Sequence, residues 1–87
     1  MAQLGLDPEA MQTLSRSMTA EADKVDNAAK TLDGRIRGVW WKGKDADQFK
    51  GDWEGHKRTL TQVADALRAA AKKIDQNVTQ QTQASGS

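Results

Sequence analysis

Gly38-Val39-Trp40-Trp41-Lys42-Gly43-Lys44 lies near the middle of the chain, and the apolar residues on either side of it mirror one another. Before it, apolar or small residues recur at Met11, Leu14, Met18, Ala22, Val25, Ala29, Leu32, Ile36 and Val39. After it they recur at Ala46, Phe49, Trp53, Leu60, Val63, Leu67, Ala71 and Ile74, with His56 filling one step. Both runs step by three and four, which is helical spacing with a seam period near ~3.5. Folding the chain at Trp41–Gly43 sets Val39 opposite Ala46, Ile36 opposite Phe49 and Leu32 opposite Trp53. Further out, Val25 meets Leu60, Met18 meets Leu67 and Met11 meets Ile74. Runs of equal period that agree once agree along their whole length, so this is a single coincidence, but it sets the register of an antiparallel hairpin. The spacing therefore predicts an all-α fold, a two-helix hairpin. Its expected core is Leu14, Met18, Val25, Leu32, Ile36, Phe49, Trp53, Leu60, Val63, Leu67 and Ile74.

The helix ends carry their own signals. Asp7 reads as an N-cap, Pro8 suits the first helical position, and Glu9 suits the positive end of the helix dipole. The first helix is expected over about residues 8–40, roughly 48 Å at ~1.5 Å per residue. The turn is expected at about 41–44, with Gly43 supplying a backbone conformation that a Cβ would resist. The second helix is expected over about 45–80, with Asp45 and Asp47 near its start and Lys72 and Lys73 near its end, as the dipole favours. One hairpin domain thus covers residues 1–81. Residues 82–87 belong to a Gln-, Thr-, Ser- and Gly-rich stretch that reads as a fraying tail. Gly34, Gly38, Gly51 and Gly55 do not fit ideal helices. They read either as room for the tryptophans or a partner helix, or as tolerated looseness near a loop.

At 87 residues the chain fits one domain. A hairpin of this size buries one face per helix, a marginal core by itself. With no cysteine there is no disulfide framework to compensate, so a partner chain is the expected source of further stability. The net charge is +1 with both signs interspersed, which argues against a nucleic-acid binder with a basic face. Arg35, Arg37, Lys42 and Lys44 form the densest basic stretch, read first as solvated helix ends and second as a contact for an anionic surface. No apolar run approaches the ~20 residues of a membrane span. The first seven residues lack the basic and apolar regions of a signal peptide.

Little in the sequence supports catalysis. There is one histidine and no tyrosine. His56 reads as a partly buried seam residue; Asp52 lies within helical reach of it, but two groups make no metal site. The pairs Asp45/Asp47 and Asp23/Asp26 read as helix-surface charge. No cofactor and no metal are expected. Trp40 and Trp41 are adjacent, so they cannot share a helix face. Trp40 is expected to extend the core and Trp41 to anchor the loop, with an exposed tryptophan there suited to a contact. Ala64, Ala66, Ala69 and Ala70, and Ala10, Ala20 and Ala28, lie off the main seam. They would let a second hairpin approach closely, or are simply helix-forming surface alanines.

A short chain of two helical halves around a central Trp-x-Gly resembles the WXG100, or ESAT-6-like, proteins. Here the motif is Trp41-Lys42-Gly43, continued by Ala46, Phe49 and Trp53. The resemblance implies a hairpin that pairs into a four-helix bundle, as a homodimer or as a heterodimer with a related WXG100 protein. It implies a non-enzymatic substrate of the type VII (ESX) secretion system, made in the cytoplasm and exported without a signal peptide. Trp41 and Gly43 would then form the turn end of a surface recognised by the membrane ATPase of that system. Many family dimers carry a Tyr-x-x-x-Asp/Glu signal after the second helix. This sequence has no tyrosine and no acidic residue after Asp75, which favours a sister chain that brings the signal. An alternative within the same family is a cytosolic helper that binds a larger effector or toxin and targets it for export.

Overall fold

The computed structural model describes residues 5–86, with side chains described to residue 83. Two helices, α1 (Pro8–Gly38) and α2 (Lys44–Gly86), account for nearly all of it. They lie antiparallel in a rod of 66 × 17 × 16 Å. No strand occurs among the described residues, and none of their helices is long and apolar enough to cross a membrane. The all-α hairpin expected from the spacing is therefore the fold. The expectations for residues 1–4 and 87 lie outside the described residues.

Capping follows the sequence signals. The Asp7 carboxylate accepts hydrogen bonds from the backbone N–H groups of Glu9 (3.0 Å) and Ala10 (3.3 Å), and Pro8 opens α1. At its other end α1 stops at Gly38, two residues before the expected limit, because Val39 turns extended (φ −84°, ψ 127°). Gly43 has φ +117°, a region that L side chains rarely adopt, and its carbonyl accepts from the N–H of Asp47 at 3.0 Å to start α2. A glycine is required there to bring the chain back within five residues.

The second helix departs from expectation at its end. It continues to Gly86, so residues 82–86 are helical rather than a frayed tail. Gln and Thr are tolerable helix formers and no proline interrupts them. Val78 is buried, and Gln81 lies so close to Gly5 that a Cβ on Gly5 would stand 2.8 Å from its amide nitrogen. The arm before α1 thus covers the late part of α2.

The seam between the helices is made mostly of small residues. Ser15, Ala22, Ala46, Ala64, Ala71 and Val78 are buried, with Trp53 the one large side chain among them. The Ser15 hydroxyl donates to the Ala71 carbonyl across the seam at 3.1 Å. The Trp53 indole N–H donates to Asp33 at 3.0 Å. Both contacts place the register one residue away from the pairing drawn from the apolar stripes: Ser15, not Leu14, faces Ala71, and Asp33, not Leu32, receives Trp53. Short side chains allow two backbones to come close, and the close approach is what the helices bury. No large side chain among the described residues is fully enclosed.

Candidate functional site

The one-residue shift decides where the large apolar side chains go. Leu14 directly precedes the buried Ser15 on α1 and Val63 directly precedes the buried Ala64 on α2, while Leu32, Phe49 and His56 precede the half-buried Asp33, Lys50 and Lys57 at the seam's polar edge. A step of one residue turns a side chain by about 100° around a helix. Because the helices are antiparallel, the same step in the same sense on both brings all five residues to one side of the pair. There Leu14, Leu32, Phe49 and Val63 remain 44–46% exposed. These four do not belong to a closed core within the chain, and His56 is exposed beside them rather than partly buried. Met18, Val25, Ile36, Leu60, Leu67 and Ile74 are half-buried between this face and the seam. The result is an apolar face running the length of the rod, which the hairpin does not cover.

The opposite side of the pair is polar and tied across the helices. Arg68 of α2 reaches Asp23 (2.9 Å) and Asp26 (2.6 Å) of α1, and Asp65 at 3.6 Å on its own helix. Lys57 reaches Asp33 (2.9 Å) and Glu54 (3.0 Å), and Arg37 reaches Asp33 at 3.0 Å. Hydrogen bonds from Lys57 and then Trp53 hold the Asp33 carboxyl below its ordinary value of 3.8. The same carboxylate, with help from Glu54, raises the Lys57 ammonium. Asp23 and Asp26 are therefore part of an interhelical clasp. Such exposed pairs orient the helices more than they stabilise them.

At the turn, Trp41 packs on Phe49 with ring centroids 5.3 Å apart and planes tilted by 49°. This contact anchors the loop onto the first turns of α2, at the end of the apolar face. Trp40 does the reverse of what was expected: it extends no core and is 88% exposed. Once α1 ends at Gly38, Trp40 is no longer carried on a helix face, so the seam spacing does not reach it. Gly34, Gly38 and Gly51 have open space where a Cβ would stand, and at Gly55 only the Arg58 guanidinium lies near, at 3.8 Å. None of the four makes room for a tryptophan inside the hairpin. Ala64, expected at a surface for a partner, is instead buried in the seam, while Ala10, Ala20, Ala28, Ala66 and Ala69 are exposed and Ala70 is half-buried.

Ser15 was missed as a seam residue because it is polar. The signal was present in its spacing: Ser15, Ala22, Ala29 and Ile36 repeat every seven residues, and three of the four are small. Among the described residues, no cluster of histidine and carboxylate side chains could hold a metal ion.

Comparison with curated proteins gives no match, and comparison with solved structures gives none. The family described as WXG100, proteins of 100 residues with WXG, matches over residues 3–84. That span takes in both helices and the Trp41-Lys42-Gly43 turn, and this chain belongs to the WXG100 family of small helical proteins associated with type VII secretion.

Proposed function

We propose that this protein is a secreted interaction module of the type VII pathway, which works as a dimer of hairpins. The observation that carries the reading is the uncovered apolar face. A compact 9.5 kDa chain would expose about 5,000 Å², whereas this one exposes 6542 Å². The rod's length and its open face both contribute to this excess, which is larger than the roughly 800 Å² that one partner of a standard interface hides. A second hairpin, either a copy of this chain or a related WXG100 protein, would lay its own apolar face on Leu14, Leu32, Phe49 and Val63 and complete a four-helix bundle. In that role the chain binds and presents; its family is one of non-enzymatic helical proteins.

Trp41 and Gly43 would form the recognition end for the membrane ATPase of the system. Trp41 is 41% exposed and packs on Phe49, so part of the side chain is anchored while the rest stays accessible. The test is Trp41→Ala followed by far-UV dichroism, solution mass and export from a type VII-competent host. Helicity and mass should persist while export falls. Loss of helicity would instead make Trp41 a structural residue and remove the recognition role. A large effector that co-purifies in place of a similar-sized hairpin would assign the apolar face to the helper function.

A further inference from the structure

The turn end carries a second feature that the dimer reading does not use. Val39 is 57% exposed and Trp40 is 88% exposed, side by side at the tip of a rod only 16–17 Å across. Arg35, Arg37, Lys42 and Lys44 flank them in sequence, and no carboxylate occurs from residue 34 to residue 44. Arg37 is engaged by Asp33, while Arg35, Lys42 and Lys44 have no carboxylate partner among the described residues. The nearest acids are Asp33, already shared by Arg37 and Lys57, and Asp45 and Asp47 in the first turn of α2.

We propose that this tip docks reversibly on an anionic lipid bilayer, with Trp40 at headgroup depth and Arg35, Lys42 and Lys44 against the lipid anions. An indole has an apolar body and a polar N–H, and it partitions to the boundary between hydrocarbon and water. Basic side chains near an anionic leaflet each strengthen binding by about fivefold. The chemistry points to a bilayer: Arg35, Lys42 and Lys44, which have no carboxylate partner among the described residues, lie within five residues of an exposed indole. The docking is superficial, since neither helix is apolar enough to span. This proposal does not depend on how the apolar face is occupied.

The test is co-sedimentation of the full chain with vesicles of phosphatidylcholine alone or with about a third phosphatidylserine. Binding is expected to the anionic vesicles, weak on the neutral ones, and reversed by half-molar salt. Trp40→Ala should reduce partitioning at least fivefold without changing helicity, because the side chain touches little of the fold. The double substitution Lys42→Glu, Lys44→Glu should reduce it more than twentyfold. Lys72→Glu, Lys73→Glu applies the same charge change far from the tip and should cost no more than a few-fold. Equal losses from both pairs would reduce the effect to net charge and overturn the proposal. So would equal binding to neutral vesicles, an unaffected Trp40→Ala, or no vesicle binding at all; the last, with a Trp40→Ala export defect, would assign the tip to a protein.

Discussion

Leu32→Ala separates an apolar face built for a partner from a core closed within the chain. Fully burying a leucine side chain is worth about 1.5–3 kcal/mol over leaving it exposed. Leu32 keeps 45% of its surface in water, so the hairpin itself secures about half, roughly 1 kcal/mol, and leaves a similar amount for a partner to gain. In a symmetric dimer the residue occurs twice, so truncation should weaken dimerisation by about 2 kcal/mol, which is roughly 30-fold in Kd. The hairpin's own stability should fall by only about 1 kcal/mol, a few degrees in Tm for a chain of this size. Sedimentation velocity over a dilution series gives the first quantity, and urea titration below the dimer Kd gives the second. An unchanged Kd with a loss of stability near 3 kcal/mol would show that Leu32 is interior, and the open-face reading would fail. A wild-type chain that stays monomeric at high concentration yet melts cooperatively would refute it equally.

Other substitutions test the seam, the turn and the clasp. Ala22→Leu forces three carbons between Ala22 and the close-lying α2, where Ala64 is also fully buried; it should cost about 1–3 kcal/mol, seen as a Tm drop of at least ~5 °C, and a gain in Tm would contradict the close approach. Gly43→Ala places a Cβ at φ +117° and should cost about 1–2 kcal/mol by chemical denaturation without moving either helix; a neutral result would mean that the turn relaxes freely. Asp33 titrates below its ordinary value of 3.8, so its contribution to stability is fully present above about pH 4 and is lost as pH falls through the depressed folded value. Asp33→Asn should flatten that acid limb of the stability curve, and identical pH dependence in both proteins would remove the Lys57 and Trp53 contacts from the account.

The hairpin was legible because three separate signals agree: heptad-like spacing on both sides, an Asp-Pro helix start, and a glycine at the one position among the described residues with a left-handed backbone. Gly43 in particular could be assigned its conformation without coordinates, since few other residues tolerate it. The seam was legible only to within one residue. Apolar periodicity averages over a stripe about 100° wide, and Leu14 and Ser15 both fall near its edges. Counting hydrophobic residues favours Leu14, whereas packing favours Ser15, which is short and can satisfy its hydroxyl on the Ala71 carbonyl. The extended end of α2 was missed because polar composition was read as disorder, although nothing in that stretch breaks a helix before Gly86.

The sequence by itself determined two antiparallel helices, their approximate register, the turn at Trp41–Gly43 and the family signature. These rest on local backbone preference and on period, which a linear chain displays directly. Only the tertiary structure decided which side of each helix faces inward. It placed the small residues between the helices, left Leu14, Leu32, Phe49 and Val63 open along one face, set Trp41 on Phe49 and left Trp40 in solvent. The physical reason is that the distance between two helices is a joint property of both chain halves. Close contact through Ser15, Ala22, Ala64 and Ala71 turns the bulky neighbours outward, and no reading of one helix at a time contains that choice.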